Sequence, residues 1–337
     1  MAKTKIRIAQ VGILNHGLTI LQAIRDSETL ELVSVFDIEG EEARKATKGL
    51  SVRHADTYEA ILKEKDVEAV ALVTPNHLHA AQIAAAFSAG KHVFVEKPIT
   101  RTVAEAHQSI AQARSAGKLL MVGHNTRRRP LFRRAKAILE EGRIGVIAGV
   151  DMNMSRPVGI RAGLPAWKTD ANAANLIPMT QLGIHFADTI DYLLGPVARV
   201  ACVANNAAMP GGAWDSSSSI LQLESGVPVA LSGSYVTPDE YFLRIYGTKG
   251  ILHCHVSGLK MELLEGDALR TAMSEDFPNE GFASYREEMN EFGECILHSK
   301  QPETGGGEGL RALAVIEAMV QSISTRRVID MKEILQS

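Results

Sequence analysis

The 337-residue sequence predicts an α/β chain in two domains. Residues 1–122 are expected to form a doubly wound parallel sheet, and residues 123–337 an α+β domain built on an antiparallel sheet. Three observations lead there. The first 122 residues alternate strand and helix patterns, as a parallel sheet with crossover helices requires. Their strands are nearly continuously apolar, as expected when helices cover both faces. From residue 198 onward five strand runs follow one another without intervening helices.

In order, the first strands are "KIRIAQVG" (5–12), "ELVSVFD" (31–37), "VEAVALVT" (67–74), "KHVFVEK" (91–97) and "KLLMVG" (118–123). Helical stretches lie between them, among them "HAAQIAAAFSAG" and "TVAEAHQSIAQARSAG". Both of these end in Ser-Ala-Gly just before a lysine, a helix stop followed by a strand start. Beyond Gly123 come a basic helix ("RPLFRRAKAILEEG"), the strand "VIAGVDMNMS", a polar loop over 155–176 and the helix "TQLGIHFADTIDYLLG". The strands "ARVACVAN", "SSSILQLES", "PVALSGSYV", "YFLRIYG" and "GILHCHV" then precede two closing helices near 284–298 and 308–325.

Composition narrows the function classes. Hydrophobic content of 45% with 22% charged residues describes a soluble globular chain with ample core. A formal net charge of -3 gives no electrostatic reason to expect nucleic acid or a membrane surface as partner. Cys202, Cys254 and Cys295 are widely spaced, with no C-x-x-C, which fits reduced thiols in a cytoplasmic protein. "MAKTK" runs straight into a strand, so no signal peptide is expected. His77, His92, His253 and His255 are not grouped with acids as metal ligands would be, and no catalytic metal is expected.

The first strand-to-helix turn reads Gly12-Ile13-Leu14-Asn15-His16-Gly17. A dinucleotide turn, G-x-G-x-x-G, uses its glycines for the tight bend, for approach of backbone to pyrophosphate and for helix packing. Gly12 and Gly17 keep the first and third, while Leu14 occupies the second. Amides at a helix N-terminus still suit phosphate, because their partial charge belongs to the backbone. Asp37 ends the second strand 20 residues after Gly17, where an acid accepts hydrogen bonds from a ribose 2′-OH and repels a 2′-phosphate. NAD is therefore favoured over NADP, with Arg44 and Lys45 on the following helix as the countervailing cations.

"VTPNHLHAAQIAAAFSAGKHVFVEKPIT" (73–100) is more specific. Thr74-Pro75-Asn76 with His79, a helix, and then Glu96-Lys97-Pro98 resemble the glucose–fructose oxidoreductase / inositol dehydrogenase / rhizopine-catabolism (Gfo/Idh/MocA) family. "VGHNTRRRP" (122–130), "QLGIHFADTIDYLLG" (181–195) and "YGTKG" (246–250) extend the resemblance over the whole chain. It implies a Rossmann domain followed by a substrate domain with an open, mostly antiparallel sheet, and homodimers or homotetramers formed through that sheet. The activity implied is NAD(P)-dependent oxidation or reduction of a sugar, cyclitol or related polyol. The implied cofactor contacts are Gly12, Ile13, Leu14, Asn15, Gly17, Asp37, Thr74, Pro75, Asn76, His79, Glu96, Lys97 and Asn125.

The chemistry of the carried residues agrees. An ammonium at Lys97, ending a parallel strand, binds the reacting oxygen and favours alkoxide as hydride leaves. Pro98 sets the backbone immediately after it. Gln181 and His185 are spaced i, i+4 on a predicted helix, and Asp188 lies one turn on, placed to orient the imidazole. Relatives often carry Asp where this chain has Gln181, so Lys97 and His185 are left to handle the proton. Asn153, Arg156, Arg161, Trp167 and Lys168 are the further expected substrate contacts, on or after the strand opening the second domain. Arg127, Arg128, Arg129, Arg133 and Arg134 read most simply as a solvated face. They also support an alternative substrate, an aromatic-derived cyclic diol or carboxylated ring, since guanidinium suits carboxylates. A second alternative is a cofactor-binding sensor without catalysis, suggested by Leu14 and Gln181.

Overall fold

The computed structural model describes residues 4–161, 163–164, 176–256, 258–278 and 280–336. It divides into two compact units, one comprising residues up to Arg128 with Gly281–Leu310, the other Arg129–Glu280 with the residues from Arg311 onward.

The first unit holds six strands: β1 (Ile6–Val11), β2 (Leu30–Phe36), β3 (Arg53–His54), β4 (Ala69–Leu72), β5 (His92–Glu96) and β6 (Leu120–Gly123). They pair in parallel in the order β3-β2-β1-β4-β5-β6. The chain reverses its winding between β1 and β4, the place where doubly wound sheets open a ligand crevice at their C-terminal ends. Helices α1 (His16–Arg25), α2 (Gly40–Ala46), α3 (Tyr58–Lys63), α4 (His79–Ser88) and α5 (Val103–Ala116) connect the strands. Local signals set the bounds. Thr102 and Glu105 form a capping box at the start of α5, and Gly117, at φ 60°, ends it.

A single division after residue 122 does not describe these units. Most of helix Glu280–His298 packs on the first unit, where Met289 and Phe292 share a core with Ile8, Ile20, Phe94 and Met121. Gly293 makes that approach possible, since a Cβ there would lie 2.2 Å from Thr29 Oγ1.

The second unit begins with α6 (Pro130–Glu140) and β7 (Ile147–Ser155). A π-helical turn, Met179–Gly183, then runs into α7 (Ile184–Leu194). Strands β8 (Val197–Asn205), β9 (Ser216–Leu223), β10 (Pro228–Ser234), β11 (Glu240–Gly247), β12 (Gly250–His255), β13 (Gly258–Glu265), β14 (Ala268–Asp276) and β15 (Ile329–Asp330) complete it. The nine-stranded sheet has the order β14-β13-β12-β11-β7-β10-β9-β8-β15. Among its described strands, β7 and β10 alone pair in parallel. Met152, Leu231 and Leu243 are buried on the face that meets the helices, and Val203 and Ile220 on the other face are exposed. β13 and β14 are additional to the strands expected from sequence. β14 is almost wholly exposed, so it lacks the apolar alternation that marks a half-buried strand.

Candidate active site

The turn after β1 is shaped by two glycines. At Gly12, with φ +81°, a Cβ would lie 2.3 Å from Val73 O; at Gly17 it would lie 2.5 Å from Gly12 O. Gln10, fully buried in β1, donates from Nε2 to Gly12 O (2.9 Å) and Gly17 O (2.8 Å), pinning both ends of the turn. Sequence reasoning missed Gln10, although a lone polar residue inside "IRIAQV" was the available signal. Leu14 stands where the second glycine would, yet the left-handed position falls on the next residue, Asn15, at φ 54°. No side chain caps α1 and its first turn carries no acid, so the helix terminus suits a pyrophosphate. These features fit a dinucleotide.

Asp37 is placed differently from expectation. Its Oδ2 accepts from the amides of Ile13 (2.8 Å) and Leu14 (3.2 Å), and Oδ1 accepts from Glu39 N (3.0 Å). The carboxylate holds the turn, and the amides of Ile13 and Leu14 are turned to it rather than toward a ligand. The Ile13 side chain is buried with Leu21, Val35 and Ala43.

The second turn of the site follows β5. Lys97 is half-buried, and its bond to Pro98 is cis. Glu96 is 6% exposed, and its Oε2 accepts from Lys97 N (3.1 Å). Its Oε1 accepts from His16 Nε2 (3.0 Å), whose ring stands edge-on to Tyr285. Burial pushes the Glu96 carboxyl up, but the hydrogen bond from His16 and the charges of His16 and Lys97 outweigh it and hold the pKa below its ordinary value. Gly123, paired with Glu96 across β6, leaves room for that carboxylate: a Cβ there would lie 3.1 Å from it.

His79 and Asn125, expected at the cofactor, are instead turned inward. The His79 ring is 1% exposed, with Nδ1 2.8 Å from Pro98 O and Nε2 2.9 Å from Thr74 O. Burial pulls its pKa down against the two carbonyls and Glu96. Asn125 is buried and donates from Nδ2 to Ser284 Oγ (2.9 Å). Thr74 donates from Oγ1 to Gln82 Oε1 (2.6 Å); Pro75 is exposed, and Asn76 opens a short 3₁₀ turn.

In the second unit, Gln181 lies in the π turn and His185 and Asp188 in α7, so the expected uninterrupted α-helical spacing is broken. Crowding accompanies the widened turn, since a Cβ on Gly183 would lie 2.3 Å from Met179 Sδ. Such π turns recur at functional sites. Gln181 and His185 are half-buried and Asp188 is buried. Asn153 is not brought to them. Successive strand residues point to opposite faces, and Met152 with its neighbour Leu231 takes the helix face. Asn153 Oδ1 accepts from Ser155 Oγ on the other side (2.7 Å). Arg156 pairs at the surface with Asp239 (3.0 Å). Trp167 and Lys168 lie outside the described residues.

The arginine cluster is not a solvated face. Arg128 is fully buried between Glu288 (3.4 Å) and Glu291 and also donates to Thr304 Oγ1. Arg129 donates to Tyr241 Oη and Val256 O, Arg133 to Tyr192 Oη, and Arg134 pairs with Glu275. Internal partners account for these four, which weakens the arginine cluster as support for a carboxylated ring substrate.

Comparisons with known proteins identify the family. The family model "Oxidoreductase family, NAD-binding Rossmann fold" matches residues 6–124, and "GFO/IDH/MocA C-terminal domain" matches 132–253. Inositol 2-dehydrogenase of Rhizobium meliloti (strain 1021) is 29% identical over 336 residues, covering 96% of this chain and 99% of the relative. D-xylose 1-dehydrogenase (NADP(+)) 2 of Haloferax volcanii is 26% identical, covering 82% and 84%. A solved oxidoreductase from Desulfitobacterium hafniense superposes with a TM-score of 0.92 at 27% identity, covering 98% of this chain and 99% of its own. The chain belongs to the Gfo/Idh/MocA family of oxidoreductases, with an NAD(P)-binding Rossmann domain.

Proposed function

We propose that the protein moves a hydride between a nicotinamide and a secondary alcohol or hemiacetal carbon of a sugar, cyclitol or related polyol, with NAD preferred. The observation that carries this reading is the placement of Lys97 beside buried Glu96, on the same C-terminal sheet edge as the Gly12–Gly17 turn. The bound nicotinamide supplies the hydride acceptor, or the donor in the reverse direction. Lys97 holds the reacting oxygen and stabilises negative charge on it. His185 exchanges the hydroxyl proton, Asp188 orients that imidazole, and Gln181 hydrogen-bonds a hydroxyl without taking its proton. The names of the inositol and xylose dehydrogenases support the substrate class.

The preference for NAD rests on Asp37, whose charge beside the Ile13 and Leu14 amides opposes a 2′-phosphate. Lys45 pairs with Glu42 (2.6 Å) on α2, which weakens it as a phosphate ligand. Exposed Val203, Ile220 and Val328 support a homodimer or homotetramer, and the buried thiols of Cys202, Cys254 and Cys295 support a reducing, cytoplasmic setting.

The test is a fluorescence titration with NADH and NADPH, followed by a screen of inositols and aldoses. NADH should bind roughly tenfold tighter than NADPH, about 1.4 kcal/mol. Tighter NADPH would overturn the NAD preference, and binding of neither would overturn the whole reading. On the substrate found, Lys97→Ala should lower turnover by roughly 10²- to 10⁴-fold with NADH affinity kept within about threefold.

A further inference from the structure

The first turn of α4 reaches both strand-end turns of the site. Thr74 is held twice, by its carbonyl facing His79 Nε2 at 2.9 Å and by its hydroxyl donating to Gln82 Oε1 at 2.6 Å. Gln82 is in turn fixed through its own carbonyl, which accepts from Tyr58 Oη at 2.7 Å. The other nitrogen of His79 lies 2.8 Å from Pro98 O, the first carbonyl after Lys97. A carbonyl only accepts, so a neutral ring holds one of these two oxygens and a doubly protonated ring holds both. Either way the buried imidazole stands between the segment that follows β4 and the segment that follows β5.

We infer that His79 is the positioning residue of Lys97: wedged between Thr74 O and Pro98 O, with a ring N–H donated to Pro98 O, it fixes the direction from which the lysine leaves the sheet edge. The backbone around Lys97 is then fastened on two sides, by Glu96 Oε2 at its own amide and by His79 one residue on. Half-buried Lys97 has a long, flexible stem, and fixing the amide before its Cα and the carbonyl one residue beyond it limits the backbone motions that would carry its ammonium away. This inference rests on Lys97 being the reacting lysine of the proposed function, but its test needs neither cofactor nor substrate.

The measurement is the rate of acetylation of each lysine by limiting acetic anhydride, read by peptide mass spectrometry on the full-length protein. His79→Leu should speed acetylation of Lys97 at least fivefold while Lys5, Lys63 and Lys332 stay within twofold of the unaltered protein. His79→Gln, whose amide offers two N–H groups, should restore the original Lys97 rate within twofold; His79→Asn, one bond shorter, should behave like His79→Leu. A structural role alone would lower the melting temperature without moving the Lys97 rate selectively. A folded His79→Leu protein with an unchanged Lys97 rate overturns the inference. So does equal behaviour of the Asn and Gln variants, which carries the test if the Leu variant does not fold. Loss of fold in all three would assign His79 to stability alone and also overturn it. Failure of the oxidoreductase reading would appear separately, as absence of dinucleotide binding.

Discussion

The two turns at the C-terminal edge of the parallel sheet are built on opposite principles. The Gly12–Gly17 turn, although Gln10 and Asp37 also hold it, depends first on atoms that are missing: its glycines let backbone pass within distances that no Cβ tolerates. The Glu96–Pro98 turn depends on atoms that are present, with Glu96 and His79 fastening the backbone on either side of Lys97. The first should therefore be broken by adding a single carbon, and the second by taking polar atoms away.

The largest effect is expected at Gly12. Gly12→Ala adds a Cβ 2.3 Å from Val73 O at a φ of +81°, so both the contact and the conformation oppose it. Urea unfolding should show a loss of roughly 3 kcal/mol, with NADH binding lost in parallel. A variant with unchanged stability and affinity would show that the turn relaxes easily and would erase the contrast.

Glu96→Gln tests the fastened turn with almost no change in volume. The Glu96 carboxyl is held below its ordinary value of 4.5 in the folded state, so its charge stabilises the fold above that pH. This stabilisation is lost as the pH falls through the depressed folded value. The melting temperature of the unaltered protein should drop on acidification below pH 4.5, and the Gln variant should show a shallower drop over the same range. Parallel curves for the two proteins would remove Glu96 as a source of that dependence.

The smallest effect is expected at Leu14. Because Asn15 rather than Leu14 carries the left-handed φ, Leu14→Gly should change NADH affinity by no more than about threefold, roughly 0.6 kcal/mol. A tenfold gain would show instead that the isobutyl group obstructs the pyrophosphate, and would make the first turn less purely a matter of glycines.

The same contrast explains what could be read from the chain. Gly12, Gly17 and the continuously apolar strands were legible because each is a residue type demanded by its own backbone or by burial on both faces. Asp37 was legible as a position, but its partners Ile13 and Leu14 lie 24 and 23 residues earlier and are set by how the turn closes. The arginines after Asn125 misled for the same reason. Glu288, Glu291 and Glu275 lie 141 to 163 residues from the arginines they meet, and nothing local announces them. "VDMNMS" alternates cleanly: Met152 and Met154 mark the helix side, so Asn153 belongs to the other face, which is legible in the sequence. The π turn at Met179–Gly183 has no periodic signature, because it departs from the 3.6-residue repeat that a sequence pattern tests.

Met289 and Phe292 complete the core around Ile8 and Phe94, yet they are encoded close to the end of the chain. During synthesis the parallel sheet emerges with one part of its apolar surface uncovered, and it stays so while the whole of β7 to β14 is made. A chain synthesised only as far as residue 288 therefore lacks Met289 and Phe292 from the core of its nucleotide-binding unit and leaves that apolar surface exposed. The late helix gives the enzyme a built-in check on completeness: a prematurely terminated chain lacks the finished core of its cofactor domain.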